Sequence, residues 1–260
     1  MFVVALLAIS TSVEAEAPLL AADLGVTAFE ARMLLSGGFP AVVRSTVDRN
    51  AAIELLGKLR GCRHGALACD TAAVVPNSSM RSMRDFAFGD EAILESAALA
   101  GSGYRGGGER LPYDDVLCLL RAMHRRTVLE KAEERERSFS MGRTLMTGGV
   151  VLSKTTTKEI QSLGESREQV LYIYRKSGAT PWILRETSTR YASLGPDLSP
   201  TTIQNFLTTI RLLRQRAPNA PYDERLMTLK PKDPKSSDAG LDLLSHLTAM
   251  WLSKSDGAST

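Results

Sequence analysis

Three cysteines and three histidines in 260 residues leave little material for two common kinds of chemistry. Cys62, Cys69 and Cys118 are odd in number and irregularly spaced, so they outline neither a disulfide framework nor, with so few imidazoles, a zinc site. Cys69 and Cys118 sit inside apolar runs, where a free cysteine serves as a small buried hydrophobe. Unpaired thiols also suit a reducing compartment. No metal or cofactor is expected. A surplus of one charge is missing too, since 32 basic residues face 29 acidic ones. A phosphate-binding face carries a clear basic excess, so nucleic acid is not the expected partner. No run approaches the ~20 apolar residues that a membrane span requires. His64 lies in a polar turn and His124 in a basic run, and both are expected at the surface. Neither belongs to a His-Glu-x-x-His helix, and there is no Gly-x-Ser-x-Gly elbow. Asp114 and Asp115 are adjacent, which on a strand points them to opposite faces, so they read as a surface turn or cap. Gly148-Gly149 is followed by Val150 where a phosphate-binding loop needs Lys. Together these absences argue against an enzyme.

What is present describes a globular chain, with 43% hydrophobic residues and length enough for one large or two small domains. Phe2 to Ile9 is continuously apolar, as in a strand covered on both faces. A secretory signal is the alternative, because Ala15-Glu16-Ala17 resembles a small-residue cleavage site. No Lys or Arg precedes Arg32, however, so the positive region of such a signal is missing. Pro18 suits a first helical turn, and Leu19, Leu20 and Leu24 share a short face that Gly25 ends as a C-cap. Thr27 with Glu30 forms a capping box that opens a second helix, with Phe29, Met33 and Leu34 as its apolar stripe. Gly37-Gly38 stops that helix. Pro40 to Arg44 reads as a strand. Asp48 or Asn50 caps a third helix carrying Ala52, Ile53, Leu56 and Leu59, and Ala66 to Asp70 is a further strand that Val74-Val75 extends or supplements.

This order, with Leu24-Gly25-Val26-Thr27, Glu30-Ala31-Arg32, Gly38-Phe39-Pro40-Ala41-Val42 and Ala51 to Leu59, resembles one known fold. It is shared by the C-terminal domain of the ribosomal stalk protein and the Clp-protease adaptor. The resemblance implies that fold and a small binding module. It brings no site, because the adaptor's carboxylate run after the first strand corresponds to Ser10-Thr11-Ser12, and its histidine to Ser36-Gly37-Gly38. Where the stalk protein has lysines, this chain has Thr27 and Arg32.

Pro76 to Ser79 is a turn-forming cluster that suggests a boundary between module 1–76 and module 80–227. Arg84 to Phe88 and Ala92 to Glu95 read as short strands and Arg110 to Leu120 as another strand or short helix, with a flexible loop at Gly101 to Gly108. Gln169 to Arg175 and Trp182 to Glu186 flank Ser177-Gly178-Ala179-Thr180-Pro181 as a hairpin. Ser199 as N-cap and Pro200 as first residue open a helix through Ile203, Phe206, Leu207, Ile210 and Leu213. Several strands closed by one helix resemble a pleckstrin-homology-type barrel, and Leu111-Pro112-Tyr113-Asp114-Asp115-Val116 is similar to its bacterial versions. That resemblance implies a binding platform for lipid headgroups, peptides or protein faces. Residues 125–168 read as an insertion, with a mixed-charge solvated face or helix from Lys131 to Arg137 and a mobile Gly/Ser/Thr-rich part from Ser138 to Lys158. Residues 228–240 read as a linker. Residues 241–253 form an amphipathic helix of about three turns, marginal on its own. Its polar side, Asp242, Ser245, His246 and Thr248, lacks the Lys and Arg of a membrane-surface helix, so docking on protein is preferred.

The expected fold class is α+β: a small β-α-α-β-α-β module, then a mostly-β, barrel-like module with a C-terminal helix. The expected function is that of a non-catalytic, cytoplasmic protein-interaction or regulatory adaptor. Its candidate partner contacts are Arg32, Arg44, Tyr172, Trp182 and Trp251. One alternative is a lipid- or membrane-surface-binding module, which needs Arg121, Arg125 and Arg126 gathered on one face. Another is an enzyme whose Gly-rich insertion orders over a nucleotide.

Overall fold

The computed structural model describes the backbone of residues 1–95, 109–139, 153–229 and 237–257, and the side chains of 1–95, 109–124, 167–229 and 240–254. The fold is α+β. The chain divides into two compact units, one made of residues 1–124 with 168–260 and the other of residues 125–167. The turn at Pro76 to Ser79 lies inside the first unit.

The opening apolar run is strand β1 (Phe2–Ala8), the centre of a three-stranded antiparallel sheet between β2 (Ala41–Thr46) and β3 (Gly65–Asp70). Helices α1 (Val13–Leu24), α2 (Ala28–Ser36) and α3 (Arg49–Gly61) complete the expected β-α-α-β-α-β order. The local chemistry of each boundary is visible. Ser12 caps α1, and Gly25 ends it in the left-handed region at φ 68°, where a residue with a Cβ would be strained. Thr27 and Glu30 close the capping box reciprocally, with Glu30 Oε2 accepting from the Thr27 N–H at 2.8 Å. Of the two possible caps of α3, Asp48 takes the role and accepts from the N–H groups of Asn50 and Ala51. Val74-Val75 adds no strand, because Asp70 caps a short 3₁₀ turn, Thr71–Ala73, that ends β3.

The period-two alternation of β1 explains its continuous apolarity. Val4 and Leu6 face α1–α3, in a core with Leu20, Leu35, Leu55 and Leu59. Val3, Ala5 and Leu7 face the other way, toward the terminal helix α5 (Ser237–Gly257) through its Leu247. The expected apolar faces of the first helices shift by part of a turn. Ala31 and Leu35 are the buried pair of α2, whereas Phe29 and Met33 are exposed. In α1 Leu19 is exposed and Leu20 buried, and in α3 Ile53 is exposed and Leu55 buried. Both pairs of α2 have i, i+4 spacing, so periodicity marks two faces. The small Ala31 is the one that admits a close approach.

The second sheet has order β11-β8-β9-β10-β4, with β4 Arg81–Ser82, β8 Val116–Phe139, β9 Ser153–Arg175, β10 Trp182–Arg185 and β11 Tyr222–Asp223. The expected hairpin is β9–β10, antiparallel, with Trp182 opposite Ile173. β5 (Phe86–Phe88), β6 (Ala92–Glu95) and β7 (Arg110–Pro112) form a separate antiparallel meander. Barrel-like closure is not found: among the described residues the five-stranded sheet is open, with β11 and β4 as its edges. Each face is covered instead by a helix. Leu119, Leu171, Ile173, Trp182 and Leu184 pack on α4 (Thr202–Arg216) and on the meander. Cys118, Leu120, Ala122, Val170 and Tyr172 pack toward α5.

Helix α4 starts later than expected, because Thr201 is its N-cap and accepts from the Gln204 N–H. Ser199 is held by the buried Asn205, which accepts from the Ser199 N–H at 2.6 Å and donates to its carbonyl at 2.9 Å. α5 is longer than expected at both ends, and it docks on its own body. Leu243, Leu247, Met250 and Trp251 meet the first sheet, and Leu241, Leu244, Ala249 and Leu252 meet the second. Its expected polar side is therefore partly interior. Ser245 and Thr248 are buried and donate to the carbonyls of Asp242 and Leu244 within the helix.

In the second unit, residues 125–139 and 153–167 continue β8 and β9. The mixed-charge run at Lys131 to Arg137 is thus strand, not helix. The centre of the expected Gly-rich loop, residues 140–152, lies outside the described residues, as do the loop at 101–108 and residues 230–236 of the linker expected at 228–240, whose last four residues are helical.

Candidate functional site

The five expected contact residues do not come together. Arg32 on α2 and Arg44 on β2 are exposed. Tyr172 and Trp182 are each 0% exposed, on opposite faces of the five-stranded sheet, and are core residues instead of partner contacts. Adjacent strands place them so, because β9 and β10 side chains alternate between faces and each aromatic takes an interior position. Trp251 is half-buried against the first sheet, where a Cβ on Gly65 would lie 2.7 Å from its ring. Arg121 is engaged by Gln169 and Glu224, and the side chains of Arg125 and Arg126 lie outside the described residues.

Both histidines expected at the surface are buried. His64 Nε2 lies 2.7 Å from Glu16 Oε1, and each side chain is almost inaccessible to solvent. The Ser10 N–H donates to His64 Nδ1 at 3.3 Å, so that nitrogen bears a lone pair and Nε2 carries the proton donated to Glu16. Thr11 Oγ1 donates to the other Glu16 oxygen at 2.7 Å. Ser10 Oγ lies 3.5 Å from Nδ1 and donates to the Cys62 carbonyl at 3.2 Å. The outline is that of a Ser-His-Glu arrangement, but a serine nucleophile needs a base with a free lone pair. Here the Ser10 backbone already occupies it. The arrangement ties the β1–α1 connection to the α3–β3 turn. A signal for it existed in the sequence: Glu16 lies one residue before Ala17 and four before Leu20, on the apolar side of α1, where a carboxylate requires a buried partner.

His124 continues the inward alternation Cys118, Leu120, Ala122 of β8, and its Nε2 lies 2.7 Å from Tyr172 Oη. Tyr174 Oη and Ser245 Oγ are 2.9 Å apart, joining β9 to α5. Burial pushes both tyrosines well above their ordinary range, so they stay neutral hydrogen-bonding groups. Burial also lowers the pKa of the half-buried His246.

Asp115 likewise departs from a surface role. Its carboxylate accepts from Arg175 Nε at 2.7 Å and from the Ser177 N–H at 2.9 Å. Burial, the largest single influence, pushes its pKa up, but these bonds together outweigh it and hold the carboxyl below its ordinary value. Arg175 also reaches Glu109 at 2.8 Å, and Glu109 reaches Arg81 at 3.1 Å. This chain of ion pairs fastens β4 and β9 to the residue preceding β7.

The surface feature that stands out is on α2. Phe29 is 64% and Met33 58% exposed, one turn apart on the same face. Arg32, also exposed, lies between them in sequence, and Val26, 37% exposed, precedes the helix. Among the described residues no group of three or more His, Cys, Asp or Glu is placed to hold a metal ion, and no helix is long and apolar enough to cross a membrane. Comparisons with protein-family models, with curated proteins and with solved structures give no match.

Proposed function

We propose that this chain is a non-catalytic protein-interaction module that presents the outward face of α2 to a partner protein. The observation that carries this reading is the exposure of Phe29 and Met33. Large apolar side chains left adjacent on one helix face are what a partner buries, and Phe, Met and Arg are residue types enriched at interfaces. Met adds a side chain that adapts to the contour of a partner. The resemblance of residues 1–76 to adaptor and stalk modules, which are themselves binding modules, points the same way. The buried histidines support it from the other side, since His64 and His124 hold interior contacts instead of facing a substrate. Among the described residues the three cysteines form no disulfide, and two of them are buried, which suits a reducing compartment, and we place the protein in the cytoplasm.

The test compares affinity capture by the wild-type chain with capture by Phe29→Glu/Met33→Glu, after circular dichroism has shown the same fold for both. Proteins retained by the wild type and lost with the double variant support the reading. Identical retained sets contradict it.

A further inference from the structure

The outward face of α4 carries a second, differently composed surface. Ile203, Leu207, Arg211 and Arg214 succeed one another at i, i+4, i+8 and i+11, and all four are exposed, Ile203 at 45% and Leu207 at 39%. The stripe is apolar in its first half and cationic in its second. The cationic half lines an open-sided cleft of about 520 Å³, floored by Ala220, Pro221 and Tyr222. Arg214 lies over the Tyr222 ring, 4.5 Å from its centroid. Stacking of this kind fixes a guanidinium without consuming its N–H donors. Glu224, which accepts from the Tyr222 hydroxyl at 3.2 Å, is already matched by Arg121 at 3.3 Å.

A structural role explains part of this pattern. Arg214 and Arg216 stand in the last turn of α4, where cations complement the helix dipole, and Arg216 stacks on Phe88 at 4.6 Å. That role covers neither Arg211, which is outside the last turn, nor the exposed apolar pair. Arg211 and Arg214 have no carboxylate partner among the described residues. As like charges three residues apart they repel, which a bound anion would relieve.

We infer that the outward face of α4 binds an acidic peptide segment of a partner protein, with Arg211 and Arg214 taking its carboxylates and Ile203 and Leu207 its apolar side chains. The span favours a peptide over a small anion. From Ile203 to Arg214 the helix rises about 16 Å at 1.5 Å per residue, which about five extended residues cover at roughly 3.3 Å each. A single phosphate or carboxylate group engages only the arginines and leaves the apolar half bare. This surface is separate from α2, and either one stands without the other.

The test is fluorescence anisotropy on the full chain with two fluorescein-labelled probe peptides, Leu-Leu-Ser-Glu-Asp-Glu and its reverse, which cover both directions of binding. One of them is expected to bind, about tenfold more weakly to Arg211→Glu/Arg214→Glu, and several-fold more weakly to Ile203→Ser/Leu207→Ser. Affinity falls between 50 and 300 mM salt as screening increases. Phe29→Glu/Met33→Glu leaves probe binding unchanged, which separates this surface from the one on α2. Circular dichroism of each variant confirms an unaltered fold, since all four positions are exposed. No binding of either peptide at 1 mM overturns the inference, as does equal binding of a probe with Lys in place of its acidic residues. Full affinity of Ile203→Ser/Leu207→Ser, with displacement by millimolar inorganic phosphate, overturns it in favour of a small-anion site.

Discussion

Replacing Gly65 by Ala isolates the contact that seats α5 on the first sheet. Gly65 pairs with Ala8 in the β1–β3 ladder, so its backbone is not free to retreat. The added Cβ would lie 2.7 Å from Trp251 Cη2, 3.1 Å from Trp251 Cζ2 and 3.1 Å from the Ala8 Cβ. Ordinary contact between such carbons begins near 3.5 Å, so the indole must move by most of an ångström. Overpacking of this size costs about 1–3 kcal/mol. Ala in place of Gly returns about 0.4–1 kcal/mol through the unfolded chain, because Gly65 has no positive φ that would strain the new residue. The net loss is then about 1–2 kcal/mol. Guanidinium unfolding of the wild type, Gly65→Ala, Trp251→Ala and the double variant forms a cycle that reads the contact itself. Trp251→Ala removes the obstructing ring at the cost of its packing with the first sheet. In that background Gly65→Ala is expected to be neutral or slightly stabilising, a coupling of about 2 kcal/mol. Additive effects would refute the reasoning, because Trp251 would not be what the new methyl meets.

His64→Ala leaves the buried Glu16 carboxyl with the Thr11 hydroxyl as its remaining side-chain partner, and a buried acceptor that loses a hydrogen-bond partner costs about 1–3 kcal/mol. Chemical denaturation should show that loss, while Ser10→Ala, at an exposed position, stays within about 1 kcal/mol; comparable losses would rule out the pairing as the cause. The pKa of Asp115 is held below its ordinary value of 3.8 in the folded chain, so the stability it contributes is full above that value and lost as pH falls through the folded one. Denaturation between pH 6 and pH 2.5 should therefore show a steeper acid decline for the wild type than for Asp115→Asn, and parallel curves would contradict this. Phe29→Glu/Met33→Glu should leave the unfolding midpoint nearly unchanged, as substitutions at exposed positions shift stability by about 0.5 kcal/mol or less; a large drop would mean that these side chains are structural.

Where local rules decide, the sequence was readable. The Thr27–Glu30 capping box, the Gly25 C-cap and the β9–β10 hairpin each depend on a few neighbouring residues and each is found at its expected place, and the α3 cap is Asp48, one of its two candidates. Long-range pairing was less legible. Phe29 and Met33 define a proper helical stripe, but which stripe a helix buries depends on what lies against it, and Ala31 with Leu35 won that place. Ser245 and Thr248 look like a solvent face until α5 is known to lie between two sheets, where their hydroxyls are satisfied by their own helix. His64 and His124 have polar neighbours in sequence, while their partners, Glu16 and Tyr172, are 48 residues away. Aromatic and basic side chains are expected contacts, but Tyr172 and Trp182 serve equally well as core, and of the five only Arg32 lies beside the exposed apolar face of α2.

The central claim is that the outward face of α2 meets another protein. Benzoylphenylalanine in place of Phe29, photo-activated in intact cells, tests it most directly, with the same residue in place of the exposed Arg84 as control. The account predicts one adduct of defined mass at position 29 that differs from twice the mass of the chain, and none at position 84. No adduct at 29, the same adducts at both positions, or a dimer of the chain alone would contradict it.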